Sequence, residues 1–363
     1  MLEIAEGSIR ALYLFDVADT IDLAQMTSLG GENRAPAELP LRPHTSPAYL
    51  QFPVPPLVAT LDPARIGDLE CSVRLKFYDY GVMSLRLSFD CRGTWNELVA
   101  LADRVRTDEK IARFAETTVA RVRDEHLHAL DDPHPPLVED YHILEINRFS
   151  EAVDAETLLD EHAADLASLL LGERRRLSAS ESEESLRTRF SYYDDDLTVV
   201  QWDAAFVYDR PESGRAIEDI LEFANSQLLE LRTYDALLDR ELDSIYKMQP
   251  GASVRSVRGT SEAEKAAVLR YLIVDVLELI DRSSNALKIV GDAYYARIYR
   301  TAAARLGLND WQRQIDAKLA SVGEMYRFFT DEARSRRDVF LEWIVIVLIA
   351  LEIVVGVFTL IHH

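Results

Sequence analysis

The chain has 363 residues, 62 acidic against 40 basic side chains and a formal net charge of −22; 48% of its residues are hydrophobic and 28% charged. That composition excludes wholesale disorder, and the length predicts two or three structural units. The acidic balance argues against a protein whose main task is to coat nucleic acid, since phosphate binding needs a basic footprint, so no direct nucleic-acid partner is expected.

Met1–Arg10 contains Glu3 and Glu6 and no apolar core, so no signal peptide is expected. Ile9–Phe15 is an apolar strand candidate, and the Gly- and Pro-rich stretch from Gly30 to Pro56 reads as a long loop. Val73, Leu75 and Phe77 alternate with Arg74 and Lys76. Met83, Leu85, Leu87 and Phe89 alternate with Ser84, Arg86 and Ser88. With Asp79-Tyr80-Gly81 between them, the two runs predict a β-hairpin with one buried face. Cys71 and Cys91 flank it and are too few for a disulfide scaffold; they read as reduced thiols.

Thr94 or Asn96 is expected to cap a helix through Arg106, and a second helix runs from Asp108 to about Leu130. Tyr141–Asn147 is a strand, Asp154–Leu171 an amphipathic helix ending at Gly172, and Glu173–Glu184 a charged connecting loop. Leu186–Tyr192 and Leu197–Tyr208 form a strand pair around Asp194-Asp195-Asp196. Residues 1–210 therefore predict an α+β domain with a mostly antiparallel sheet.

From Pro211 the pattern turns helical. Ile217, Leu221, Ala224, Leu228 and Leu231 follow a four–three seam, and Pro250-Gly251 ends the helix. Further helical runs begin near Ser261 and Ala286, the latter stopping at Gly307. The last begins near Asn309; its seam through Trp311, Ile315, Leu319, Val322, Tyr326 and Phe329 keeps its phase into Trp343. Residues 211–338 are thus expected to form a coiled-coil-like helical domain. Leu221, Leu228, Leu231, Tyr326, Phe329 and Glu352 are its candidate contacts in a homo-oligomer.

Trp343–Ile361 is nineteen residues long, and fourteen of them are Ile, Leu, Val or Phe. Such a helix spans about 28 Å, and its apolar side chains favour insertion by about 4 to 8 kcal/mol against about 3 kcal/mol for Glu352. The expectation is a transmembrane tail anchor over residues 339–361. Arg334, Arg336 and Arg337 form a basic flank that keeps the N-terminal bulk in the cytoplasm.

No Walker A, GxGxxG, HExxH or GxSxG pattern is present. His126 and His128, two residues apart on a helix, point about 200° apart and are poorly placed to share a metal. The Asp194–Asp196 triplet reads as a hairpin turn first and as a divalent-cation site second. Asp203 and Asp209 read as strand-end hydrogen-bonding residues first and as a candidate acid pair second. No catalytic, cofactor or metal residue is assigned.

LLELRTYDALLDRELDSIY (Leu228–Tyr246), RDVFLEWIVIVLIALEI (Arg337–Ile353), SYYDDDLTVVQWDAAFVYD (Ser191–Asp209) and FYDYGVMSL (Phe77–Leu85) together resemble the YagE/required-for-meiotic-nuclear-division family, a family of unknown function. The resemblance implies an inner-membrane location, oligomerisation and no known catalytic set. Without an Arg- and Ser-rich presequence, the chain looks like a prokaryotic member. The resulting expectation is a non-enzymatic, tail-anchored scaffold that presents a cytoplasmic interaction domain to an unidentified protein partner and self-associates through its helical half. The alternative is a membrane-anchored metal- or nucleotide-dependent enzyme or ligand sensor using Asp194–Asp209.

Overall fold

The computed structural model describes residues 2–28, 41–43, 52, 54–173, 175, 177–246, 270, 273–274, 276–277, 293–324, 327, 346 and 348–349. Its strands are β1 (Glu3–Ile21), β2 (Leu41–Pro43), β3 (Leu57–Ile66), β4 (Leu69–Phe77), β5 (Val82–Thr94), β6 (Leu130–Phe149), β7 (Arg189–Phe190), β8 (Leu197–Val200) and β9 (Ala204–Tyr208). Among the described residues these form one nine-stranded sheet in the order β2-β3-β4-β5-β1-β6-β9-β8-β7. All pairings are antiparallel except β6 with β9, where His142 lies opposite Ala204. The class is α+β with a mixed sheet.

β1 holds the centre because it is apolar on both faces. Ile9, Ala11, Tyr13 and Phe15 point into one core, Leu12 and Leu14 into the other. It pairs with β5 at Phe15–Met83 and with β6 at Ile9–Leu144. The β4–β5 hairpin turns at Gly81, whose φ of +92° a side chain rarely adopts and where a Cβ would collide with the Ala18 carbonyl.

After the short α1 (Leu23–Ser28), the helices α2 (Trp95–Thr107), α3 (Glu109–Glu125), α4 (Ala155–Glu161) and α5 (Ala163–Leu171) cover the first core. Thr94 and Glu97 start α2 with a reciprocal capping box, which satisfies two otherwise orphan N–H groups. A further short helix, α6 (Ala179–Ser185), follows. The second core is covered by α7 (Pro211–Tyr246) and α8 (Ala293–Arg305). Every residue of α7 from Ala216 to Glu230 is buried.

The structure divides into two units, Met1–Thr233 with Asp281–Gln312 and Tyr234–Ile280 with Arg313–His363. α7 runs from the first into the second. Within the second unit, Lys318 lies 2.7 Å from Asp235 and 2.6 Å from Asp239, and the Gln314 amide donates to Asp235.

Several sequence expectations are corrected. The hairpin's polar face is not solvent: Lys76 and Ser84 are buried. β6 begins eleven residues before Tyr141, because a backbone already paired to β1 overrides its three prolines. The helix expected from Asp154 breaks at His162 into α4 and α5. Part of the charged loop is α6.

The C-terminal transmembrane helix is also corrected. Among the described residues, no helix is long and apolar enough to cross a membrane. Trp343, Glu352 and Ile361, like Arg334, Arg336 and Arg337, lie outside the described residues. A hydropathy count registers avoidance of water and does not separate lipid from a protein interior. The tail anchor and the inner-membrane location built on it are therefore carried no further.

Candidate functional site

The first unit carries three notable polar arrangements among its described residues. The largest is an interior ionic seam between the sheet and α7. Alternation in β1, β4, β5 and β6 points Arg10, Lys76, Arg86 and Glu145 to the α7 side, where Glu218, Asp219 and Glu222 descend. Arg10 pairs with both Glu145 and Glu218, and Arg86 with Glu218. Lys76 pairs with Glu222 and, at 2.9 Å, with Asp219. Burial opposes ionisation of Glu218, but Arg86 and Arg10 outweigh it and hold its carboxyl below the usual range. Lys76 stays charged in the same way: Asp219 and Glu222 override its desolvation. Gly214, in the first turns of α7, leaves room for the Glu145 carboxylate, which a Cβ would strike. The seam fixes where α7 lies on the sheet. Sequence reasoning missed it, although a polar stripe of Lys and Arg in a hairpin and an acidic cluster inside an apolar helix were both visible.

A second cluster lies where β6 meets the β8–β9 turn. Its members are Arg106 from the end of α2, His142, Asp140 and Asp203, with Tyr13 opposite Asp140 on β1. The Arg106 guanidinium donates to the Leu170 carbonyl at 2.8 Å, and the Asp203 carbonyl accepts from the His142 N–H at 3.0 Å. Burial, and then Arg106, depress the His142 pKa to about 3, so the ring is neutral. Arg106 Nε, His142 Nε2 and Asp203 Oδ1 are shut away from solvent with no hydrogen-bond partner. Those three atoms are enclosed, whereas the Asp140 side chain in the same cluster is exposed.

The third arrangement is at the surface. Ser191 to Asp195, between β7 and β8, are all exposed, and the Tyr192 and Tyr193 rings are 61% and 65% accessible. The loop is held from below: buried Asp196 accepts the Tyr192 and Tyr193 N–H groups, both at 2.8 Å. Ser191 Oγ donates to the Asp196 carbonyl, and the Asp194 carbonyl accepts from the Ala155 N–H at the start of α4. The two tyrosines meet edge to face at 4.8 Å. Tyr192 touches Tyr294 of α8 at 5.4 Å, and Tyr294 touches Tyr295 at 5.5 Å. Asp194 and Asp195 in the loop are exposed, as is Asp154, whose neighbour Ala155 bonds the Asp194 carbonyl. Asp209 is half-buried, and burial followed by Asp196 and Asp195 raises its pKa to about 6.

The aspartates from Asp194 to Asp209 thus do different jobs. Asp196 ties backbone, Asp195 pairs with Arg210 at 3.6 Å, and Asp203 and Asp209 flank opposite ends of β9. Six residue steps along a strand span about 20 Å, too far for one acid–base couple. Among the described residues, no group of three or more His, Cys, Asp and Glu is placed to hold a metal ion. His126 caps α3, and His134 faces Asp16 at 3.5 Å. Of the expected oligomer contacts, Leu221 and Leu228 are buried in the second core and Leu231 packs beside it. Tyr326, Phe329 and Glu352 lie outside the described residues.

A three-layer α+β domain with charges paired inward and a tyrosine–aspartate loop outward defines the class. A family model described as "Uncharacterized protein MJ0711, N-terminal domain" matches residues 6–214, and the chain belongs to that family. The uncharacterized protein MJ0711 of Methanocaldococcus jannaschii is 24% identical over 209 residues, 57% of this chain and 63% of that protein's length. No solved structure matches the chain. The resemblance to the YagE/required-for-meiotic-nuclear-division family is corrected accordingly. In Leu228–Tyr246 the shared signal is packing: Leu228 and Leu229 are core positions that many buried helices share.

Proposed function

We propose that the chain is a non-catalytic interaction module whose α+β domain presents the Tyr192–Asp195 loop to a protein partner. The supporting observation is the loop's preorganisation. Two neighbouring tyrosines stand in water although a buried aspartate fixes the backbone beneath them. Ordered, exposed aromatics lose little entropy on association, which is why tyrosine is enriched at binding hot spots. The interior charges have a structural use instead, since they anchor α7. The seam of Leu221 and Leu228 is occupied within the chain, so the reading rests on the domain surface and not on that face of α7.

Site-directed photocrosslinking tests this. A benzophenone amino acid placed at Tyr193 in the full chain, in cells, is expected to give a discrete heterologous adduct that Tyr192→Ala weakens. Trp202, exposed in the β8–β9 turn, serves as the control position. No adduct from position 193, or the same adducts from both positions, would overturn the reading.

A further inference from the structure

We infer that the Tyr192–Asp195 surface takes an arginine-bearing segment of its protein partner. The inference rests on the interaction-module reading and names the chemistry of the partner. Four tyrosines form a continuous edge-to-face run, Tyr193, Tyr192, Tyr294 and Tyr295. Their faces carry the negative side of the ring quadrupole and attract cations. The run already holds one guanidinium, because Arg297 lies 5.7 Å from the centre of the Tyr294 ring.

Charge favours the same occupant. Asp194 and Asp195 follow the two outer rings in the same loop and are exposed, as is Asp154, whose neighbour Ala155 bonds the Asp194 carbonyl; Arg210 lies beside Asp195. Asp209 titrates high, after burial, because Asp196 and Asp195 stand near it, so a cation brought to this patch relieves repulsion that is already present. Arginine suits the surface better than lysine. A planar guanidinium stacks on a ring and bonds a carboxylate in its own plane at the same time, whereas an ammonium is a compact, strongly hydrated charge. Adjacent tyrosine and aspartate side chains offer both contacts.

The test uses the full chain and two fluorescent peptides of equal charge, one arginine–glycine–serine and one lysine–glycine–serine. Anisotropy titration is expected to show the arginine peptide binding about tenfold more tightly than the lysine peptide. Tyr192→Ala/Tyr193→Ala should abolish that preference, and Asp194→Asn/Asp195→Asn should weaken binding and flatten its salt dependence. Both pairs keep Asp196 and the loop's backbone bonds, and unchanged melting confirms the fold. Glu181→Gln/Glu183→Gln on α6, equal in charge change, should have no effect. Equal affinity for the two peptides, or full binding by the tyrosine pair variant, would assign binding to the net charge of −22 and overturn the inference. If the peptides fail while the Tyr193 crosslink persists, the partner chemistry is wrong and the module reading stands. If both fail, the module reading falls as well.

Discussion

Lys76 on β4 and Glu222 on α7 are 146 residues apart in sequence and form a buried ion pair. The pair joins the hairpin to a helix that begins only after the sheet is complete, so it couples the second layer of the domain to the third.

Removing one member leaves the others stranded. Lys76→Met should destabilise the protein by about 3–5 kcal/mol, since Glu222 remains buried without its cation. Adding Asp219→Asn and Glu222→Gln should recover part of that loss. Urea midpoints at constant slope measure both effects.

The approach of α7 to β6 depends on Gly214. Gly214→Ala drives a Cβ into the Glu145 carboxylate and should cost about 1–3 kcal/mol. Gly323→Ala, in a helix and with nothing within 4 Å of its new Cβ, should instead be neutral or stabilising by up to about 1 kcal/mol. Thermal melts of the two variants should shift in opposite directions or, for the second, not at all.

Two buried groups give opposite pH dependence. Burial raises Asp16 from 3.8 to about 6, against the lowering influence of His134. The folded state binds its proton more tightly than the unfolded chain, so this group's contribution falls as pH rises from about 4 to about 6. His142, depressed from 6.5 to about 3, stays neutral in the fold while the unfolded chain protonates, so its contribution falls as pH drops through that window. Each has a slope near 1.4 kcal/mol per pH unit, and the two largely cancel between about pH 4 and 6. Asp16→Asn should expose the histidine slope, with stability increasing with pH and higher at pH 7 by about 1–3 kcal/mol. His142→Gln should expose the reverse slope. Parallel curves for the wild type and both variants would refute the assignment.

Cys71 and Cys91 are buried free thiols whose pKa values burial raises. Neither should react with a thiol reagent in the native protein, and both should react at a rate that follows global opening, as titration in urea would show.

The parts legible in sequence were those with local causes. Alternation and Asp79-Tyr80-Gly81 specify the β4–β5 hairpin, Thr94 and Glu97 specify the start of α2, and Pro211 opens α7. What escaped was set by distant partners. Arg86 and Lys76 looked like a solvent face until Glu218 and Glu222 covered them. β6 extends back from Tyr141 to Leu130 because β1, distant in sequence, supplies its hydrogen bonds. The surface loop was half legible: the aspartate triplet was read as a turn, but the direction of Tyr192 and Tyr193 depends on Asp196 reaching back to their amides.

The central position of β1 bears on how the chain is made. It leaves the ribosome before β5 and β6, the two strands that flank it, so one of its hydrogen-bonding edges waits for β5 and the other stays unsatisfied until β6 has been synthesised through Phe149. Over that interval an apolar ribbon carries an open edge of the kind that pairs with other chains, a hazard that ends once the sheet closes over it on both sides.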